Sequence, residues 1–266
     1  MTNPTVVVIS CFFCVPESHH IYPACPSPHT SFYFFTNFEP LCQAAEQAGW
    51  IPRFIDEAPL SNDPLVCALQ SKRVKFLTCL KDKPDRINTT SDYILYVDHK
   101  LFVQHVHVQQ LVRQLVRLHK QEAKESAVLI RFHESPEHKS LWDEVNAARA
   151  QERYARHMNK TVATLQECLS CSTKQYKAET QIFNTGLLLY YKPQLHHIQP
   201  LLDQVYDACT HGQQPECQIW WALYVQKYRA WCQGIPFNDL QIVWMKPQQY
   251  AAMTHFFQQR KKSLKN

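Results

Sequence analysis

Glycine is nearly missing from this chain: only four occur in 266 residues. None belongs to a Gly-x-Gly-x-x-Gly fingerprint, a Walker phosphate loop or a Gly-x-Ser-x-Gly elbow. Those motifs need glycine where the backbone approaches a ligand closely or turns sharply. Their absence argues against a dinucleotide oxidoreductase or a P-loop enzyme and removes the commonest serine hydrolase pattern. Charged residues make up 19% of the chain, ordinary for a globular protein, and the net charge of +5 is mild. No dense basic stripe marks a nucleic-acid partner. The run Arg260-Lys261-Lys262 reads as a solvated tail, and the mild positive balance suits an anionic small molecule such as a nucleotide diphosphate. Long apolar runs are lacking too. The longest, Thr5 to Val15, falls far short of the roughly 20 residues of a membrane-crossing helix. No Lys or Arg precedes it and no small-residue cleavage site follows, so a signal peptide is not expected and the expected location is cytoplasmic.

What is present in quantity is apolar residues, 45% of the chain, enough for one full core. Eleven cysteines, an odd number, are scattered through predicted helices and strands. That distribution is expected of reduced thiols rather than of a disulfide framework. Two Cys-x-x-Cys pairs occur, Cys11/Cys14 and Cys168/Cys171. The first ends a predicted strand and encloses two aromatics without turn residues, so both pairs read as buried thiols rather than a zinc site.

Strand and helix signals alternate, which predicts a mostly parallel sheet covered on both faces. Strands are expected at Val6–Phe13, Ser31–Thr36, Trp50–Ile55, Tyr93–Val97, Ala127–Phe132, Gln181–Tyr191 (with a turn at Asn184–Gly186) and Leu240–Trp244. Helices are expected at Glu39–Gly49, stopped by Gly49, and at Leu65–Leu80, with Lys72, Arg73 and Lys75 on its exposed face. Val108, Leu111, Val112, Leu115 and Val116 repeat with helical spacing and predict a helix over Val106–Glu122. A long, interrupted helical stretch follows at Leu141–Leu169. Ile198, Leu201, Leu202, Val205, Tyr206 and Cys209 line one face of a later helix, and Glu216–Lys227 forms another. His105 and His107 are expected to share a face of an extended segment and read as surface histidines rather than a metal pair.

The polar triplet Asp98-His99-Lys100 directly follows the wholly apolar Tyr93-Ile94-Leu95-Tyr96-Val97. In open parallel sheets ligands bind beyond the carboxyl ends of strands, which puts this triplet in a binding crevice. A carboxylate there can hold a cation bridging a diphosphate, and a lysine can neutralise phosphate charge. The competing reading is an Asp that caps an ordinary strand-to-loop turn.

Tyr93–Val103 resembles the metal-binding strand of GT-A-fold glycosyltransferases, in which Asp-x-Asp ends a hydrophobic strand. A closer resemblance is to the glycosyltransferase-like family of plant mucilage and turgor-control proteins with bacterial and viral relatives. That family has Asp-Gly-Lys at the strand end, and here Asp98-His99-Lys100 follows Ser71-Lys72-Arg73-Val74-Lys75. Arg131-Phe132-His133 resembles its Arg-His, and Trp142-Asp143-Glu144-Val145-Asn146 falls at its Glu-rich helix start. Glu216-Cys217-Gln218 falls at its Arg-Asp-Gln, while Phe35-Thr36-Asn37 with Gly49-Trp50 resembles its Phe-Thr-Asp and Gly-Trp. Two departures stand out: Lys100 replaces the second Asp of Asp-x-Asp, and Cys217 replaces the family's Asp, leaving Glu216 or Gln218 as the nearest substitutes.

The resemblance implies a GT-A-like α/β domain over residues 1–250, with 251–266 a C-terminal helix or basic tail. It implies transfer of a sugar from a nucleotide-sugar donor to a hydroxyl on a glycan or glycoconjugate acceptor. Asp98, His133 and Glu216 are the implied catalytic residues. Ser10, Cys11 and Phe12 would face the base and ribose. Lys72, Arg73, Lys75 and Lys100 would meet the phosphates, and Asn184 and Gln218 would lie toward the sugar, as would His133 and Glu134. The implied cofactor is a divalent cation, Mn2+ or Mg2+, held by Asp98. Two rivals are a sugar nucleotidyltransferase, for which the Gly-rich loop after strand one is missing, and a non-catalytic nucleotide- or carbohydrate-binding module.

Overall fold

The structure, a computed structural model, describes residues 4–15, 21, 23–24, 26–88, 90–99, 101–102, 105–132, 140–171, 176–235 and 243–244. Lys100, His133, Glu134 and residues 251–266 lie outside the described residues. The chain opens with β1 (Val6–Cys11), β2 (Thr30–Thr36), α1 (Glu39–Gln47), β3 (Ile51–Phe54), α2 (Pro64–Lys75), α3 (Thr78–Asp82) and β4 (Tyr93–Val97). It continues through β5 (Leu101–Phe102), α4 (His105–Glu122), β6 (Val128–Phe132), α5 (Leu141–Arg149), α6 (Glu152–Ala155) and α7 (Met158–Ser170). The last elements are β7 (Phe183–Tyr191), α8 (Gln199–Gly212), α9 (Cys217–Tyr224), β8 (Cys232–Ile235) and β9 (Val243–Trp244).

Seven strands form one α/β sheet in the order β3-β2-β1-β4-β7-β6-β8. All neighbours are parallel except those of β7, which runs antiparallel to both β4 and β6. This is the mostly parallel, helix-flanked sheet that the alternating pattern predicts. Strand β1 is buried along its whole length because helices cover both faces. Val7, Ile9 and Cys11 join the core under α2, α5 and α7–α9, while Val6 and Val8 join the core under α4, with Val112, Leu115 and Val116. From β1 the sheet grows outward in two directions, to β2 on one side and to β4 on the other. Such a reversal leaves a crevice at the carboxyl ends of the two strands. The antiparallel course of β7 brings its first residues, Asn184 to Gly186, to the same edge.

Several expectations are corrected in detail. The helix expected at Leu65–Leu80 is two helices, because Leu77 adopts a left-handed conformation (φ 61°) while its side chain stays in the core. A bulky residue takes that conformation only where packing imposes it. Asn184–Gly186 is not a turn but part of β7, opposite a register shift at Ile130/Arg131. Strand β8 was not foreseen, and Val243–Trp244 pairs with β5 rather than with the main sheet. His105 lies in α4 rather than in an extended segment, as does His107. Gly49, by contrast, takes the positive φ (83°) expected just past the end of α1.

His119 ties α4 to the sheet. Its Nδ1 lies 3.0 Å from the Tyr93 hydroxyl and its Nε2 lies 2.8 Å from the Ser126 carbonyl. The neutral ring serves both, with Nε2–H donating to Ser126 and Nδ1 accepting from Tyr93. Burial holds its pKa below the ordinary 6.5, against a smaller upward pull from the Ser126 carbonyl. The unfolded chain therefore takes up the proton first. The stabilisation is complete above the unfolded value and is lost as pH falls through it toward the folded one. His119→Ala should cost roughly 1–3 kcal/mol at neutral pH by stranding buried partners. Urea titrations at about pH 7.5 and 5 should also show a shallower acid loss in the variant than in the parent chain.

Candidate functional site

A cavity of about 410 Å³ opens at the carboxyl ends of β1 and β4. The segment after β1 (Cys11 to Cys14), Asp98 and His99 after β4, the start of β7, the inner face of α2 and the start of α9 form its walls. The sheet order dictates this place, since these are the strand ends that flank the point where the sheet turns outward in both directions.

Asp98 is held at the strand end by its own N–H, which donates to the Gly186 carbonyl at 2.8 Å. Its Oδ2 lies 3.8 Å from Lys75 Nζ and its Oδ1 lies 3.2 Å from His99 Nδ1. Phe12 meets His99 edge-on, with ring centres 4.8 Å apart. The surprise is α2. Lys72 and Lys75 are only 7% and 3% exposed and line the cavity, so the expectation of a solvated face is wrong for both. Lys75 Nζ stands 3.8 Å from Cys217 Sγ and 5.2 Å over the Tyr96 ring, and its carbonyl accepts from the Tyr190 hydroxyl at 2.8 Å. The Lys72 carbonyl accepts from the Phe76 N–H at 2.9 Å, and its side chain lines the cavity. Burial works against its charge, but Cys217, Cys209, Glu216 and Asp98 outweigh it and raise its pKa, so it stays an ammonium.

At the far wall, Glu216 caps α9 by accepting the Gln218 N–H at 3.1 Å, and its own N–H donates to Gln214 Oε1. Gln218 Nε2 donates to the buried Glu144 at 2.8 Å. Thr185 Oγ1 lies 3.1 Å from Cys217 Sγ. Cys11 is buried, and its thiol is pushed up to about 12, by burial foremost and by Asp98 next.

The structure thus gathers Cys11, Phe12, Lys72, Lys75, Asp98, Asn184, Glu216 and Gln218 around one cavity. Arg73 is not among them. One position from Lys72 it projects elsewhere, into a separate 320 Å³ cavity with Ile55, Glu57 and Tyr206. Sequence reasoning passed over Ser71, Tyr96, Tyr154 and Thr185, which also line the site. A tyrosine inside an apolar strand reads as core, and Tyr96 is indeed core on one side while bordering the cavity on the other.

A protein-held cation does not fit the described residues. Only one carboxylate stands at the strand end, and Glu216 is engaged as a helix cap. A metal bound at about 2.1 Å to Asp98 Oδ2 would lie within about 6 Å of the Lys75 ammonium. Among the described residues no group of three His, Cys, Asp or Glu side chains converges on such a point.

Two cavity residues correct the reading of the thiols: Cys14 and Cys67 form a disulfide, joining the segment after β1 to α2. They are 53 residues apart, so no local spacing announces the pair. In the chain-entropy account, a loop of that size gives about 4 kcal/mol of stabilisation. Reducing agent should lower the urea midpoint of the parent chain, while the Cys14→Ser/Cys67→Ser double variant should be indifferent to it.

Among the described residues no helix is long and apolar enough to cross a membrane. No protein-family model and no curated protein sequence matches the chain. Solved structures do show likeness. Mouse xyloside xylosyltransferase 1 aligns at 12% identity and TM-score 0.44, over 88% of this chain and 85% of its own. CMP:2-keto-3-deoxy-manno-octonic acid synthetase in complex with CTP aligns at 8% identity and TM-score 0.40, over 87% of this chain and 89% of its own. Glucosyl-3-phosphoglycerate synthase from Mycobacterium tuberculosis, in complex with Mn2+, UDP and glucosyl-3-phosphoglycerate, aligns at 10% identity and TM-score 0.39, over 94% of this chain and 75% of its own. At these scores the likenesses assign neither a residue nor a reaction to this chain.

Proposed function

We propose that the chain is a GT-A-type glycosyltransferase that moves a sugar from a nucleotide-sugar donor to a hydroxyl acceptor on a glycan or glycoconjugate. The observation that carries this is that two lysines of one helix, Lys72 and Lys75, each largely buried as a residue, line one cavity together with Asp98. Two ammoniums that face one cavity call for a ligand of opposite charge, and an anion with several acceptor oxygens is the natural complement. A nucleoside diphosphate leaving group supplies such oxygens. The resemblance of Asp98-His99-Lys100 to the strand end of the plant, bacterial and viral glycosyltransferase-like family supports the same reading.

On this reading the donor's base and ribose lie along Phe12 and the segment after β1. Lys72 and Lys75 hold the phosphates and neutralise the charge that grows on them as the bond to the sugar breaks. Asp98 accepts from donor hydroxyls and keeps Lys75 in place. Asn184 and Gln218 face the sugar, and Gln218 is oriented by its bond to Glu144. Positioning and electrostatic stabilisation carry the reaction, and no covalent step on the protein is needed.

A non-catalytic binding module is favoured by one observation: Glu216, the carboxylate nearest the family's Asp, serves as the cap of α9. The two readings part in one experiment. Nucleotide sugars should raise the melting temperature of the parent chain and, with a hydroxyl acceptor or water, release nucleoside diphosphate. Lys72→Met should abolish both effects, weakening donor binding roughly 10- to 100-fold. Binding without any release would support the module, and no response to any nucleotide would sink the donor site. Release of pyrophosphate from a nucleoside triphosphate and a sugar phosphate would instead point to a nucleotidyltransferase.

A further inference from the structure

We infer that the ammoniums of Lys72 and Lys75 neutralise the ligand's diphosphate in place of a divalent cation, so that diphosphate binding in this cavity is independent of metal. The identity of the ligand rests on the nucleotide-sugar reading; the manner of charge neutralisation rests on the geometry of α2, β4 and α9.

Both lysines sit on the last turn of α2, three residues apart, and therefore on one helical face. Both side chains line the cavity together with Asp98 and Glu216. The two carboxylates are already engaged, Asp98 with Lys75 and His99, and Glu216 with the N–H of Gln218. Their oxygens are thus already in use within the protein. The beginning of α9 adds Cys217, whose sulfur touches Lys75 and Thr185. A carboxylate at the corresponding position would have competed with phosphate for these lysines, whereas a thiol competes far less. Lys100 adds a further basic residue, in sequence, where an Asp-x-Asp motif would place a second metal-binding carboxylate. Each departure from a metal site thus removes an anion or adds a cation. The direction is the same every time: positive charge meant for phosphate is supplied by the chain itself.

A metal-bridged site and an ammonium site respond oppositely to two changes. In a bridged site, chelation abolishes diphosphate binding and loss of Asp98 does the same. In an ammonium site, chelation is harmless, and loss of Asp98 removes a repelling charge. Inorganic pyrophosphate separates these effects from any bond between Asp98 and donor hydroxyls, because it has none of the donor's sugar or ribose.

Isothermal titration of the full chain with pyrophosphate and with UDP, CDP, GDP and ADP, each in EDTA and in Mn2+ or Mg2+, decides the matter. The expected result is an affinity for pyrophosphate and one diphosphate that changes by no more than about twofold between EDTA and metal. Lys72→Met and Lys75→Met should each weaken it roughly 10- to 100-fold. Lys72→Arg should retain it, and Asp98→Asn should leave pyrophosphate binding intact or tighter. Far-UV circular dichroism and melting check each variant; if Lys75→Met unfolds, the Lys72→Met and Lys72→Arg pair decides. Binding that appears only with metal, or that Asp98→Asn abolishes while Lys72→Met spares it, overturns the inference and leaves the donor reading standing. Absence of diphosphate binding in every condition overturns both.

Discussion

The structure turns on two lysine side chains that are buried on the last turn of one helix. An ammonium taken out of water without compensation costs several kcal/mol, and a protein tolerates it only where other groups or a ligand restore the lost solvation. Lys75 is compensated by Asp98 and by the face of Tyr96. The Lys72 side chain feels Cys217, Cys209, Glu216 and Asp98 and faces the cavity. For this to hold, α2 must stay fixed against β1 and α8, on which it packs. The bond from Tyr190 to the Lys75 carbonyl and the disulfide from Cys14 to Cys67 anchor that helix at two points, one at the sheet and one at the segment after β1. The cavity and the charges in it are consequences of that clamp.

The same clamp explains why the helix breaks where it does. Phe76 and Leu77 both enter the core directly after Lys75. The left-handed turn at Leu77 redirects the chain into α3. Local conformational cost is accepted so that lysines face the cavity and apolar side chains face the core within six consecutive residues.

Much of the fold was legible in the residues. Val6–Ile9 and Tyr93–Val97 are apolar runs of strand length, and the stretch ending at Gly49 carried its own stop signal. The amphipathic spacing from Val108 to Val116 and from Ile198 to Cys209 marked two helices correctly. What escaped was short or non-local. Strand β8, Cys-Gln-Gly-Ile, has no periodic pattern, and it exists because β6 offers an open edge. The direction of β7 is a property of its neighbours rather than of its own residues. The cavity position of Asp98 was legible through its place after an apolar strand, whereas Lys72 and Lys75, also read as phosphate candidates, were expected on an exposed face and are buried. A basic residue in a helix looks the same in sequence whether it meets water or a cavity.

Taken alone, the sequence determined the kind of protein this is: a helix-covered, mostly parallel sheet without glycine-based nucleotide loops, and with an acid at the end of a buried strand. It did so because burial patterns and turn chemistry are short-range and recur with fixed periods. Only the tertiary structure decided which charges face one another. Residues 11, 72, 98 and 217 are brought to one cavity by the order of strands in the sheet, and Cys14 meets Cys67 across 53 residues for the same reason. Coulomb forces act through space, and the distances that govern them are set by how layers stack, which no stretch of the chain encodes by itself.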